Sequence, residues 1–178
     1  MTNLQIAGRV HVEIECNPNW SDCQKEQARA KAADLNHQCQ PPRGPLTEDP
    51  TYGATTEQAK TRAQAAWNQR FYAVRAGEDI YTDPALGNNP NNYPNGGPED
   101  FTHPCMEQEM VNGGPPTRVR NGRTISNWCA DHRTECIAGG STQGPMKMLD
   151  YKVNSAFGGS MKSAVKMGPV HSVRLVGC

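Results

Sequence analysis

The stretch from Ile125 to Phe157 constrains the fold most. Within it the residue pattern changes from one typical of β-strands to one typical of a helix. Ile125, Trp128 and Cys129 are residue types that suit a pleated strand. The pair Gly139–Gly140 gives the backbone the freedom that a chain reversal needs. The sequence therefore predicts a two-stranded ribbon with a loop over residues 124–145.

A helix is predicted to follow this ribbon directly. From residue 146 apolar side chains recur at steps of three and four, which is the spacing of one helix face. They are Met146, Leu149, Val153, Ala156 and Phe157. Gly158–Gly159 is expected to end or break the helix. If the helix packs across the ribbon, Asn154, beside its apolar stripe, can face the Asp131–His132 end of the strand.

Asp131, His132 and Asn154 together have the chemistry of a site for phosphate hydrolysis. A divalent cation such as magnesium prefers oxygen ligands, which the Asp131 carboxylate and the Asn154 amide can supply. His132 is the better general base, because an imidazole with a pKa near neutrality can take a proton from water attacking phosphorus. The metal would neutralise the charge that develops on the phosphate.

The same string resembles the HNH endonuclease motif, also called the ββα-metal or His-Me finger motif. Its elements occur here in the family's order: Asp131-His132, six residues, Gly139-Gly140, a loop and a helix carrying Asn154. The resemblance implies that His132 is the general base and that Asp131 and Asn154 bind a divalent metal. Mg²⁺ is the first choice of metal, and Mn²⁺, Zn²⁺ and Ni²⁺ are the alternatives.

One position departs from the family pattern. The family usually has an Asn about nine residues before the closing ligand, where it braces the loop and orients the base, and this chain has Pro145 there. Either Gln143 or a backbone carbonyl is expected to brace the loop instead. Glu135 and His103 are the other supporting residues, and His103 has a structural alternative, as the cap of the helix that contains Glu107.

A wider similarity concerns the toxin domains of type VI secretion and Rhs/PAAR polymorphic effectors. It covers about the last 75 residues well, through His103-Pro104-Cys105, Asp131-His132 and Val153-Asn154-Ser155. It implies a DNase that acts as an antibacterial toxin in the cytoplasm of a competitor cell. The implied partners are DNA, an immunity protein and a PAAR-, Rhs- or VgrG-like carrier. No signal peptide or membrane span is evident near Met1, so secretion without a signal peptide and no membrane partner are expected.

The charges are unevenly distributed along the chain, although the formal net charge is zero. Residues 1–109 have 9 basic and 15 acidic side chains, and residues 110–178 have 9 basic and 3 acidic ones. Because phosphate backbones are held mainly by Lys and Arg, the basic part is expected to face DNA. The candidates are Arg118, Arg120, Arg123, Arg133, Lys147, Lys152, Lys162 and Lys166. Backbone contacts carry no sequence information, so little sequence preference is expected.

The chain before the motif is predicted to form a strand and two helices that support the nuclease core. Strict alternation predicts one strand over residues 4–16, and Asn19 or Ser21 can cap a helix over residues 24–35. A second helix is predicted over residues 56–76, with its apolar side chains on one side. Residues 83–98 are rich in Pro and Asn and suggest a boundary between a support region, 1–98, and a core, 99–178, although the stretch can equally be an ordered loop on the core. The two regions are expected to form one compact unit. The acidic part is expected to pack against the basic part.

The predicted fold class is therefore α+β: a ββα-metal core with an N-terminal strand and helical support, closed by a strand over residues 170–176. Seven cysteines have no Cys-x-x-Cys pair, so a structural zinc site is disfavoured. Buried free thiols with one or two disulfides are expected, and Cys129–Cys136 is one candidate pair.

Two alternatives to the nuclease remain open on the sequence. Cys136 and His171 suggest a cysteine-dependent amide hydrolase, since a thiolate nucleophile needs an imidazole partner. No helix N-terminus precedes Cys136 to lower its pKa, which argues against this function. His171 also alternates with Val173 and Leu175 in the closing strand, which favours a packed position. The second alternative is a binding module in which Asp131-His132 is only structural.

Overall fold

The fold is given by a computed structural model, which describes residues 2–6, 8–75 and 100–178. In chain order the elements are β1 (Thr2–Ile6), β2 (Arg9–Glu15), α1 (Asp22–Gln38), α2 (Ala54–Arg75), α3 (Pro104–Val111), β3 (Thr117–Arg120), β4 (Arg123–Ser126), β5 (Trp128–His132), β6 (Met146–Asp150), α4 (Tyr151–Met167) and β7 (Val170–Val176). This mixture of helices and small sheets confirms the α+β class. The predicted boundary over residues 83–98 lies outside the described residues.

Three strands from the two ends of the sequence form one sheet, in the order β1-β2-β7. β1 and β2 are antiparallel, whereas β2 and β7 are parallel. The prediction of a single strand over residues 4–16 was wrong, because the chain reverses at Gly8, whose φ of 76° suits glycine. The closing strand over residues 170–176 is confirmed as β7.

Both predicted support helices are present and somewhat longer than expected. Ser21 begins α1 with a capping box, in which its side chain accepts from Gln24 N and the Gln24 side chain accepts from Ser21 N. Of the two residues proposed to cap this helix, Ser21 is therefore the one that does so. α2 buries Trp67 and Phe71 on the apolar side that the sequence indicates.

Two apolar clusters form the core, and each takes side chains from both sides of the undescribed residues 76–99. The first packs the three-stranded sheet against α1 and α4, and it includes Val12, Leu35, Phe157, Met161 and Val173. The second packs α2 and α3 against β5 and β6, and it includes Trp67, Phe71, Met106, Trp128 and Met148. Residues on both sides of position 99 thus complete the same cores.

The strands β5 and β6 pair antiparallel and lead directly into α4. The prediction that a helix begins at Met146 was wrong. Residues 146–150 form β6, and Asp150 caps α4 by accepting a hydrogen bond from Lys152 N at 2.8 Å. The ribbon begins at Trp128 rather than at residue 124, because Ile125 belongs to the separate β3–β4 hairpin.

Helix α4 continues through Gly158–Gly159 to Met167, so the predicted break at this pair was also wrong. Phe157 and Met161, on either side of the pair, are fully buried in the first cluster. Burial of a Phe or Met side chain contributes about 1.5–3 kcal/mol. Two glycines in a helix interior cost about 1 kcal/mol each. The tertiary contacts of this helix face therefore outweigh the poor helix propensity of the glycines.

Two disulfides join distant parts of the chain. Cys16 pairs with Cys178, and Cys23 pairs with Cys105. Cys39, Cys129 and Cys136 are free thiols. The expectation of free thiols with one or two disulfides is confirmed, whereas the candidate pair Cys129–Cys136 was wrong.

Candidate functional site

Asp131 and His132 are the last two residues of β5, where the chain leaves the sheet. In the register with β6, Asp131 lies opposite Lys147 and His132 opposite Met146. A hydrogen bond of 2.9 Å from Arg133 N to Pro145 O extends the pairing by one position. The loop between the strands includes a short 3₁₀ helix, Cys136–Ala138.

The two glycines of the motif fold this loop back toward β5. Gly139 has a φ of 88°, a left-handed conformation that favours glycine. Gly140 donates to Glu135 O at 3.1 Å, and a Cβ atom placed on it would lie 2.2 Å from Thr134 O. The close backbone approach at Gly140 requires a residue without a side chain, and the loop then returns to contact His132.

The His132 side chain is buried, with 1% exposed, and one ring nitrogen has a clear partner. Nε2 lies 3.0 Å from Thr142 O, and a carbonyl oxygen can only accept, so Nε2 carries the proton. Nδ1 then has a free lone pair, and it has no hydrogen-bond partner among the described residues. The Thr142 carbonyl thus does the bracing for which Gln143 or a backbone carbonyl was expected.

The imidazole is held in its neutral form. Burial lowers the pKa of His132, and the positive charges of Lys60 and Lys31 lower it further. The hydrogen bond to Thr142 and the charge of Glu135 act in the opposite direction without reversing the shift. A neutral imidazole with a free Nδ1 is the form in which histidine accepts a proton.

Asp131 forms a buried ion pair with Lys31 of α1. Lys31 Nζ lies 2.5 Å from Asp131 Oδ2, 3.0 Å from His132 O and 3.7 Å from Glu135 Oε1. Burial opposes the charge of Lys31, but Asp131 and Glu135 outweigh it and raise the pKa of Lys31. For Glu135, burial and Asp131 raise the carboxyl pKa although Lys31 and Lys60 lower it.

One face of α1 makes most of the polar contacts to this part of the ribbon. Four of its side chains, spaced as i, i+4, i+7 and i+11, point toward β5 and β6: Gln27, Lys31, Asp34 and Gln38. Gln27 accepts from Asp150 N, Asp34 accepts from Arg133, and Gln38 bonds to Arg133 O and Thr134. The expectation that the N-terminal part packs against the basic part is confirmed by these contacts.

Helix α2 covers the free edge of β5. Asn68 Oδ1 accepts from Ala130 N at 2.7 Å, and Gln64 Nε2 donates to Ala130 O at 3.0 Å. Lys60 lies one turn earlier on the same face and is close enough to shift the pKa values of His132 and Glu135. The site is therefore enclosed by α1 on one side and α2 on another.

No motif in the sequence predicts that Lys31, Gln38, Lys60 or Asn68 belongs to the site. The signal that could have found them is the helical spacing of polar residues within α1 and α2. Gln27, Lys31 and Gln38 are buried despite their polarity, which is unusual unless such groups are paired.

Asn154 lies at the other end of β5. Its side chain donates from Nδ2 to Cys129 Sγ at 3.3 Å. Cys129 precedes Asp131 by two residues, which is about 7 Å along a strand. Of the two metal ligands implied by the resemblance, Asp131 is paired with Lys31 and Asn154 with Cys129 in this arrangement. Within the described residues no group of three His, Cys, Asp or Glu side chains is arranged to hold a metal.

The other supporting residues have structural contacts. His103 caps α3, because its Nδ1 accepts from Cys105 N at 3.3 Å, as the structural alternative proposed. Its Nε2 lies 3.7 Å from Glu26. The backbone N–H of Gln143 donates to Ser141 Oγ at 3.1 Å in the loop.

The predicted DNA-contacting side chains differ in their availability. Arg123, Lys147, Lys152 and Lys162 are exposed, whereas Arg133 pairs with Asp34 at 2.8 Å. Arg118 donates to Ser126 O and lies over the Tyr151 ring. A pocket of about 210 Å³ opens beside Asp131, with Lys31, Asp34, Thr102, Arg133 and Lys147 among its lining residues. Lys147 is the exposed cation nearest to Asp131 in the sheet register.

The thiol of Cys136 does not have the properties of a nucleophile. Cys136 is 1% exposed, and burial raises its pKa to about 11. A reactive cysteine needs a lowered pKa, because the thiolate is the nucleophile. The His171 backbone carbonyl, in β7, accepts a hydrogen bond from Gln40. The burial and the raised pKa of the Cys136 thiol argue against the cysteine-dependent hydrolase.

In comparisons with known proteins, no family model, curated protein or solved structure matches the chain. Among the described helices none is both long and apolar enough to cross a membrane.

Proposed function

We propose that this chain cleaves phosphodiester bonds of DNA, with His132 as the general base. The observation that carries the proposal is the state of the His132 ring. Thr142 O fixes the proton on Nε2, and burial keeps the ring neutral, so Nδ1 has a lone pair to accept a proton. General bases of hydrolytic enzymes need this combination of orientation and protonation state.

The order of elements also supports the proposal. β5, β6 and α4 follow one another with Asp131 and His132 at the end of the first strand, which is the order that the HNH resemblance implies. In the proposed reaction, His132 Nδ1 takes a proton from water as the water oxygen bonds to phosphorus. The P–O bond to one sugar oxygen breaks, and this leaving oxygen takes a proton from solvent. Lys147, exposed beside the pocket, binds a phosphate oxygen of the backbone.

Access to His132 is a requirement of this mechanism. The ring is 1% exposed, so substrate reaches it only when the surrounding segments shift. The loop of residues 133–145 contacts the ring through Thr142 and is the segment that we propose to move.

The biological setting is proposed on the resemblance to polymorphic effectors. In it the chain is an antibacterial toxin, exported without a signal peptide on a PAAR-, Rhs- or VgrG-like carrier. It acts in the cytoplasm of the target cell and is neutralised by an immunity protein. Expression of the chain in a bacterial cytoplasm, with and without His132→Ala, tests the toxicity.

The direct test is the nicking of supercoiled plasmid, with Mg²⁺ in one arm and EDTA in another. We expect His132→Ala to reduce the rate at least about 100-fold, the lower range for general-base catalysis. His37→Ala, which changes an exposed histidine of α1, is the matched control and should keep the wild-type rate. Intact plasmid in every arm overturns the DNase proposal, and a single-stranded RNA arm then tests the other nucleic acid.

A further inference from the structure

Three oxygen atoms converge on the Lys31 ammonium inside the protein. They belong to the Asp131 carboxylate at 2.5 Å, the His132 carbonyl at 3.0 Å and the Glu135 carboxylate at 3.7 Å. The ammonium donates to the first two oxygens, whereas Glu135 Oε1 lies at ion-pair distance and has no hydrogen-bond partner among the described residues. The side chains of Lys31, Asp131 and Glu135 are at most 6% exposed. Two carboxylates and a carbonyl oxygen thus surround one position for a cation, and Lys31 Nζ occupies that position.

Lys31 is held in this position by the helix that carries it. Gln27, one turn earlier, accepts from Asp150 N, and Gln38, two turns later, donates to Arg133 O. Both residues are buried. The α1 backbone is therefore fixed to the ribbon on either side of Lys31, which places its ammonium against Asp131.

A divalent ion on Asp131 would compete with this ammonium. Like charges a few ångströms apart repel strongly where water is excluded. Lys60 adds a further positive charge close to His132 and Glu135. The two carboxylates thus face two positive charges that the chain itself provides, those of Lys31 and Lys60.

We propose that the Lys31 ammonium is the resident cation of this site, in the place where the HNH resemblance implies a divalent metal. The catalytic consequence, which rests on the proposed function, is that DNA cleavage proceeds without a bound metal ion. Lys31 is then a positioning residue, because it neutralises Asp131 and holds the His132 backbone. The binding consequence is independent of any activity: Asp131 and Glu135 become available to a divalent ion only when the ammonium is removed.

Mn²⁺ binding followed by electron paramagnetic resonance tests the inference. We expect wild-type protein to leave the signal of free Mn²⁺ unchanged, and Lys31→Ala to bind Mn²⁺ at least about tenfold more tightly. The double variant Lys31→Ala with Asp131→Asn should lose this binding. Lys25→Ala, which removes a more exposed lysine from the same helix, should behave like wild type.

The wild-type protein decides the outcome even if the Lys31 variants do not fold. Mn²⁺ bound to wild type and lost in Asp131→Asn overturns the inference, since the metal then displaces the ammonium. A folded Lys31→Ala that binds no Mn²⁺ overturns it as well, because no cation position is then present. If the plasmid stays intact in all arms, the proposed function fails while the Mn²⁺ result still decides this inference. If plasmid is cleaved, equal rates in EDTA and Mg²⁺ are expected, and cleavage that requires Mg²⁺ contradicts the inference.

Discussion

Adjacent residues at the end of β5 have different partners and therefore different roles. The Asp131 carboxylate binds Lys31 of α1, whereas the His132 ring binds Thr142 of the following loop. Lys31 also contacts the His132 carbonyl, so one ammonium fixes both the charge of Asp131 and the backbone of His132. At the scale of single residues, the site depends on groups that neutralise or orient His132 and Asp131.

The glycines of the chain give a prediction at this scale. Gly140→Ala should destabilise the fold by about 1–3 kcal/mol, because its Cβ would lie 2.2 Å from Thr134 O and the backbone would have to shift. Urea unfolding followed by circular dichroism measures the free energy of unfolding. Gly158→Ala is the control, since a Cβ there has no neighbour within 4 Å and alanine is the better helix former by about 1 kcal/mol. Equal stability of the two variants would contradict the steric role of Gly140.

At the scale of elements, β5 owes its position to two helices as well as to β6. β6 pairs with one edge of β5. On the other edge, Asn68 and Gln64 of α2 form hydrogen bonds with the backbone N–H and carbonyl of Ala130. α1 contacts the end of the strand through Lys31. A two-stranded sheet is marginal by itself, so these helices complete the element that carries the site.

Removal of the Asn68 side chain tests this arrangement. Asn68→Ala leaves the buried N–H of Ala130 without its acceptor, and we expect a loss of about 1–3 kcal/mol in the free energy of unfolding. Gln69→Ala, at an exposed position of the same helix, should change it by less than about 0.5 kcal/mol. Amide hydrogen exchange at Ala130 should accelerate in the first variant alone. Unchanged exchange there would show that α2 does not protect the edge.

At the scale of the whole molecule, buried thiols couple stability to pH. Burial raises the pKa of Cys39 and of Cys136 from 9.0 to about 11. Between these values the native state keeps protons that the unfolded state loses, so the free energy of unfolding should fall as pH rises from about 9 to about 11. Below pH 9 the thiols are protonated in both states and contribute no pH dependence.

Urea unfolding at a series of alkaline pH values measures this dependence. The double variant Cys39→Ala with Cys136→Ala should lose stability less steeply with pH than wild type does, although its stability at neutral pH is lower. The comparison removes the contribution of other groups that titrate in the same range, such as Tyr52, whose pKa is also raised by burial. Parallel curves for the two proteins would exclude the thiols as the cause.

The sequence predicted elements well where the signal is local, and failed where distant contacts decide. The Ser21 cap, both support helices and β7 follow from local patterns of capping and periodicity. Residues 146–150 have spacing that suits a helix, but pairing with β5 makes them a strand. The helical face of α4 continues through Gly158 because Phe157 and Met161 are buried. Such choices depend on partners that are distant in sequence.

The candidate site divides in the same way. Asp131 and His132 can be identified from a short motif, and their place at the end of a strand follows from it. Lys31 lies 100 residues before Asp131, and no local pattern links the two. For Asn154 the sequence spacing suits the motif, but its side chain contacts Cys129. Spacing alone does not define which end of a strand a helix residue reaches.

The two disulfides join the N-terminal and C-terminal parts of the protein covalently, in addition to the backbone between them. Cys16–Cys178 and Cys23–Cys105 both join a residue before position 24 to one after position 104. A protease cut at any one peptide bond between these positions would leave two fragments that are still covalently joined twice. For a cut after Lys31, the Lys31–Asp131 ion pair would become a contact between two chains of one molecule. A nicked protein would then run as a single species on a denaturing gel until a reductant cleaved both disulfides and released the two fragments.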